Sequence, residues 1–305
     1  MRIATMATGG VGGYFGARLA AAGHDVFFIA RGAHLDAIRK SGLKVDSPLG
    51  NLQITGATAT DDPKSIGPVD VVLFAVKLWD TEKAGEMTLP LCGPNTRVLT
   101  LQNGIDSVDR LSKILGADRV VGGTAQIATV IAGPGHISHT SQFARIRCGR
   151  ADGKLDAYLG AFVAAAKAAG VDIDIVPSIM TAQWEKFVFL VGMSALTAAT
   201  RQPMAAVLGN PEHKQWLHDV MAEVVAVGQA KGAGLPANFV EDRMQFLGTV
   251  PPGMKASMAH DLERGNRMEL DWLSGKVVSL GRELGIPTPA NERAYKILEP
   301  HKNGK

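Results

Sequence analysis

MRIATMATGGVGGYFGARLAAAGHDVFFIARGAH, residues 1–34, decides the fold. The apolar run RIATMA (2–7) predicts a buried strand. It gives way to Gly9, Gly10, Gly12 and Gly13, and then to GYFGARLAAAG (13–23), a small-residue, proline-free stretch that predicts a helix ending at Gly23. DVFFIA (25–30) predicts a second buried strand, so the whole reads as one βαβ unit of about 30 residues. A glycine-rich turn between strand and helix suits a dinucleotide, because missing side chains let backbone N–H groups approach a pyrophosphate at the positive end of the helix. Here the GxGxxG spacing is filled by Ala7-Thr8-Gly9-Gly10-Val11-Gly12. Alanine in the first position is acceptable provided that residue keeps a negative φ.

Working outward, further apolar β-branched runs follow at VDVVLFAVK (69–77), RVLTLQNG (97–104) and RVVGGTAQIATV (119–130), with helical segments between several of them. That alternation predicts a Rossmann-type, doubly wound parallel α/β sheet covered on both faces. GHISHTSQFARIRCG (135–149) reads as an antiparallel hairpin, KLDAYLGAFVAAAKAAG (154–170) as a last helix and VDIDIVP (171–177) as a last strand. Beyond Pro177 the period changes. From about Met180 to Gly285 the chain reads as helix, broken at Pro203, Pro211, Pro236 and the Pro251-Pro252 pair, which predicts an all-α C-terminal domain. The expected division is 1–177 as a nucleotide-binding domain and 178–305 as a helical substrate and catalytic domain.

Composition narrows the partners. The 32 basic and 29 acidic residues nearly cancel and form no like-charge block, which argues against nucleic acid and membrane surfaces and for a small-molecule partner. Cys92 and Cys148 lack metal-ligand spacing, and the N-terminal run lacks the features of a signal peptide, so a reducing cytoplasm is expected. His136 and His139 point to opposite faces of an extended segment, and no metal is expected.

Where NAD-dependent chains place an acidic residue at the end of the second strand, this chain has Arg31, which matches a 2′-phosphate and leans the cofactor to NADP(H). Lys77 and Asn103 end predicted parallel strands, where open α/β sheets bind ligands. In the helical half, QWEKFVFLVGMSALTAAT (183–200) has no charge from 187 to 199, and Lys186 leads into this apolar run. Such a lysine either snorkels to solvent or lines a cleft, where it can protonate a carbonyl oxygen with a pKa drawn toward the working range.

The ordered set Gly9-Gly10-Val11-Gly12, Arg31, Val76-Lys77, Gln102-Asn103-Gly104, Trp184-Glu185-Lys186 and Met268-Glu269-Leu270-Asp271 resembles the ketopantoate reductase (2-dehydropantoate 2-reductase) family, from the first strand to about residue 275. The resemblance implies a Rossmann domain joined to a helical one, NADPH as hydride donor and a 2-oxo acid in the cleft between them. It implies Lys186 as general acid and Asn103 beside nicotinamide and substrate, with Glu269 hydrogen-bonding in the same cleft and Ser257 on the substrate carboxylate. The resulting cofactor-binding set is Ala7, Thr8, Gly9, Gly10, Val11, Gly12, Arg31, Lys77, Asn103, Thr129 and Glu269. The substrate set is Lys186, Leu190, Ser194 and Ser257. Leu190, Ser194 and Met204 stand where the family has asparagines, so the substrate is either ketopantoate or a more apolar 2-oxo acid. Two further functions fit the same residues, a non-catalytic NADP-binding redox sensor and a 3-hydroxy acid dehydrogenase, and a homodimer is left open.

Overall fold

The computed structural model describes residues 1–305. Its contacts divide the chain into two compact units, Met1–Ala182 and Gln183–Lys305.

In chain order the first unit contains β1 (Arg2–Met6), α1 (Gly10–Ala21), β2 (Asp25–Ile29), α2 (Gly32–Ser41), β3 (Leu43–Asp46), β4 (Leu52–Ile54), β5 (Thr58–Thr60) and β6 (Val69–Phe74). It continues with α3 (Thr81–Thr88), β7 (Cys92–Thr100), α4 (Ser107–Leu115), β8 (Val120–Gln126), β9 (Thr129–Gly133), β10 (His136–His139), β11 (Arg145–Gly149), α5 (Ala157–Ala168) and β12 (Asp172–Ile175). Eight strands form one sheet in the order β12-β11-β8-β7-β6-β1-β2-β5. Every neighbouring pair is parallel except β8 with β11. Alternate side chains of a strand point to opposite faces, and both faces are apolar here. Ile3, Val71, Leu73 and Leu99 enter one core cluster, and Ala4, Met6, Val72, Phe74 and Val98 enter the other. Strand order reverses at β1, which lies between β6 and β2, and such a switch point opens a crevice at the carboxyl ends of the strands.

A second sheet, ordered β4-β3-β10-β9, corrects two sequence expectations. The single run over 119–130 is two strands, with β8 in the large sheet and β9 in the small one. The hairpin expected over 135–149 does not form. Instead β10 pairs with β9 and β3, while β11 pairs with β8 and β12. The reason lies in α1. A side chain at Gly13 would collide with Ile137 of β10, and one at Gly16 would lie 2.6 Å from Thr5 Cγ2 and 3.0 Å from Phe28 in the large sheet. Both sides of α1 are therefore stripped of bulk, and the two sheets close on it. Strand pattern sets which residues face inward, but the partner is chosen by this long-range burial. The same burial starts α1 at Gly10 rather than residue 13, overriding a helix cost of about 1 kcal/mol per glycine.

The helix α6 (Ile179–Ala199) runs across the division between the units. It is followed by α7 (Met204–Gly209), α8 (Pro211–Ala230), α9 (Phe239–Leu247), α10 (Ser257–Glu263), α11 (Ser274–Leu284) and α12 (Pro289–Leu298). Prolines mark the starts: Pro203 caps α7, while Pro211 and Pro289 open α8 and α12, where a missing N–H costs no helical bond. Within the second unit α8 packs against α7, α9, α11 and α12. It also meets α6 closely: a side chain at Gly192 would come within 2.7 Å of Met221, and one at Gly228 within 2.7 Å of the Trp184 ring. No helix is long and apolar enough to cross a membrane.

Candidate active site

In the first unit, three loops leave the carboxyl edge of the large sheet side by side. Ala75 N–H donates to Met6, Leu101 N–H donates to Phe74 at 2.8 Å, and Thr8 N–H donates to Ile29 at 2.8 Å. The loops after β1, β6 and β7 thus carry Ala7–Gly9, Lys77 and Asn103 to one edge. Gln102, to which sequence reading gave no role, binds two of these loops. Its buried amide donates to Val76 O at 3.1 Å and Thr81 Oγ1 at 2.9 Å, while its carbonyl accepts from Thr100 Oγ1 at 3.2 Å. Asn103, half-buried, is the next residue out.

The glycines divide into two kinds. A side chain on Gly12 would collide with the Ala7 carbonyl, and one on Gly10 would lie 2.8 Å from Thr129 Oγ1, so both permit close packing. Gly9, the N-cap of α1, is different: a Cβ there would meet nothing within 4 Å. No side chain caps α1, and the N–H groups of its first turn have no intrahelical acceptor. Thr129 Oγ1, next to Gly10, is buried and has no hydrogen-bond partner within the chain. Arg201 is the only non-glycine residue with positive φ, so Ala7 meets the condition the first position imposes. Unused donors, an orphaned hydroxyl and an open approach at Gly9 fit a dinucleotide phosphate.

Arg31 follows β2 and caps α2. Its guanidinium is 69% exposed and lies 3.7 Å from the Asp80 carboxylate, an exposed pair of small energetic worth. Lys77 is exposed, with its ammonium 5.6 Å from the centre of the Trp79 ring. His34 tethers the start of α2, since its Nδ1 accepts from Gly135 N–H at 3.0 Å. Burial lowers its pKa and favours the neutral ring that this bond requires. A histidine in a surface helix gives no sequence sign of that tether.

In the second unit, Lys186 stands half-buried near the start of α6. Burial pulls its ammonium down to about 8, and the neighbouring Glu269 carboxylate opposes the shift. Glu269 is itself 6% exposed, so a buried carboxylate from a distant part of the sequence acts electrostatically on the half-buried Lys186. Leu190 is half-buried. Ser194 and Met204 are fully buried, and Ser194 Oγ has no hydrogen-bond partner. Thr197 in the same helix and Thr200 just past its end do have partners: their hydroxyls donate to carbonyls one turn back, at 2.7 and 2.6 Å. Ser257 is exposed on the first turn of α10. No group of three or more His, Cys, Asp or Glu side chains is arranged to hold a metal ion.

Comparison with known proteins covers both units. The family description "Ketopantoate reductase PanE/ApbA" matches residues 3–153, and its C-terminal counterpart matches residues 178–302. A 2-dehydropantoate 2-reductase of Mesorhizobium japonicum is 30% identical, with 98% of this chain and 97% of that protein covered. Among solved structures, a PanE/ApbA family ketopantoate reductase from Ralstonia eutropha superimposes with a TM-score of 0.91 at 33% identity, covering 99% of this chain and 98% of that one. A 2-dehydropantoate 2-reductase from Geobacter metallireducens gives 0.92 at 30% identity, covering 98% and 99%.

Proposed function

Because the chain belongs to the ketopantoate reductase family, we propose that it reduces 2-dehydropantoate to pantoate with NADPH, the first unit holding the cofactor and the helical one the substrate. The family makes it an oxidoreductase that acts on CH–OH groups with a nicotinamide cofactor. The choice of NADPH rests on Arg31, whose guanidinium suits a 2′-phosphate and cannot accept from a ribose hydroxyl. Gly9, Gly10, Val11 and Gly12 would receive the pyrophosphate on backbone N–H groups, with Ala7, Thr8 and Thr129 beside them; the Thr8 N–H is already bonded to Ile29. When bound, the nicotinamide supplies a hydride to C2 of the acid.

Lys186 donates the proton that the carbonyl oxygen then needs. The observation that carries this reading is its ammonium, drawn by burial to about 8 beside Glu269. A donor with that pKa is protonated at neutral pH yet gives up its proton far more readily than a solvated lysine. Asn103 and Glu269 orient the reactants, Lys77 adds positive charge at the cofactor edge, and Ser257 hydrogen-bonds the carboxylate. Leu190 lines the substrate's far end, and the fully buried Ser194 lies one helical turn further along α6. A sensor without catalysis is not favoured, since the family match runs through the helical unit as well.

The test is oxidation of NADPH, followed by absorbance, against a panel of 2-oxo acids. Ketopantoate should give the highest kcat/KM. Preference for an apolar acid such as 2-oxoisovalerate would replace the substrate but keep the chemistry, and oxidation with none of the panel would overturn the reading.

A further inference from the structure

Three hydroxyl side chains lie within two turns near the end of α6, and their bonding differs. Thr200 donates to Leu196 O and accepts from Gln202 N–H at 3.3 Å, all local. Ser194 has no partner. Thr197 is fully buried and, besides donating to Met193 O, accepts the N–H of Ala256 at 3.2 Å, the one hydroxyl of the three that is bonded to a distant segment. Valine would fill the same volume and suit a buried apolar face, so the hydroxyl serves the Ala256 bond.

That bond has a defined geometric consequence. Ala256 is 8% exposed and is the N-cap of α10, its carbonyl accepting from Ala259 and His260 at 3.0 and 3.3 Å. Its carbonyl starts the helix and its N–H is held by α6, so the residue is fixed from both sides. The loop before it is fixed too: Met204 N–H donates to Met254 O at 2.9 Å, and Ala205 N–H donates to Pro252 O at 3.2 Å. Ser257 is the next residue. At 100° per residue, Thr197 lies about 20° around the α6 axis from Lys186 and about 16 Å along it. The helix face that carries the proton donor therefore also anchors α10.

We infer that Thr197 is a positioning residue: its hydroxyl fixes the Ala256 backbone and so places Ser257 relative to Lys186 for the substrate carboxylate. This rests on the proposed role of Ser257 as the carboxylate contact. The inference separates from simple packing because valine would pack as well as threonine but leave a buried N–H unpaired.

The experiment compares Thr197→Val, Thr197→Ser, Ala256→Pro and Ser257→Ala in the full chain. Thr197→Val should raise KM for the 2-oxo acid about tenfold while kcat changes less than about threefold, the pattern of a binding contact misplaced rather than a reacting group lost. Amide exchange over residues 256–260 should quicken about tenfold or more in the same variant. Thr197→Ser, which keeps the hydroxyl, should stay near the parent in both. Ala256→Pro, compatible with a φ of −71°, deletes the donor instead and should reproduce the KM effect even if Thr197→Val folds poorly. Unchanged exchange in Thr197→Val, or no rescue by serine, overturns the inference. A KM raised by Ser257→Ala but not by Thr197→Val or Ala256→Pro overturns it while leaving the functional reading intact. A KM unchanged by Ser257→Ala overturns the role of Ser257 and the inference with it.

Discussion

The helices α1, in the first unit, and α6, which carries Lys186 in the second, each hold residues of the proposed function, and they are built on opposite plans. Four of the twelve residues of α1 are glycines at positions 10, 12, 13 and 16, and what it offers a ligand is backbone at an end left open by Gly9. In α6, unbroken helix runs for 21 residues, and what it offers is side chains: Lys186, half-buried beside Glu269, and Thr197, bonded to the start of α10. A backbone site needs only a local string of small residues and a helix start. A side-chain site takes its properties from neighbours, since Lys186 has the pKa of an ordinary lysine until burial changes it. Substitutions in the two helices should therefore fail differently.

The largest effect is expected at Lys186. Lys186→Ala should lower kcat by about 10²- to 10⁴-fold, the worth of general acid catalysis, with NADPH affinity kept. Loss of a proton disables an acid, so the parent's rate should hold below pH 8 and fall above it, because the ammonium titrates at about 8. The variant should lack that alkaline limb. Turnover within a few-fold of the parent, or an alkaline limb that survives the substitution, would return Lys186 to a solvent-directed lysine.

Next comes Arg31. A charge-assisted contact of the proposed kind is worth about 1.5 to 3 kcal/mol, so, if Arg31 makes it, Arg31→Ala should weaken NADPH by roughly 10- to 150-fold and leave NADH nearly unaffected. Equal loss for both cofactors in a fluorescence titration would remove the 2′-phosphate role. The surface pair with Asp80 is too weak to mask the result.

Leu190→Asn tests the side-chain plan at the substrate end. The ratio of kcat/KM for ketopantoate over 2-oxoisovalerate should rise by about 1 to 3 kcal/mol in equivalent free energy, the scale of one buried polar group gaining a partner. Both values falling together would mean a packing defect, and an unchanged ratio with both acids reduced well would take Leu190 out of the substrate site.

The smallest effects, and the sharpest contrast, belong to the glycines. Gly9→Ala should change stability by less than about 1 kcal/mol, because its Cβ enters open space, yet weaken NADPH about tenfold. Gly12→Ala drives a Cβ onto the Ala7 carbonyl and should cost about 1 to 3 kcal/mol of stability, read as a lower Tm before any cofactor is added. If Gly12→Ala melts like the parent, or Gly9→Ala unfolds, the division between packing and cradle glycines is wrong.

Sequence alone determined the strands flanking the glycine turn, the parallel α/β unit and the helical one after it, because period-2 apolar runs, glycine strings and proline breaks are local signals. It also put Lys186 at the head of an apolar helix and Arg31 at the end of β2. Tertiary structure decided which strands pair. Nothing in 119–149 says that β9 and β10 leave the large sheet, since that depends on α1 having two bare sides to cover. It decided, too, that Gln102 joins the loops after β6 and β7, that His34 anchors α2, and that Thr197 reaches Ala256. The physical reason is the same in each case. A residue's pattern records which way its side chain must face, whereas its partner and its proton affinity are set by what the rest of the chain brings against it.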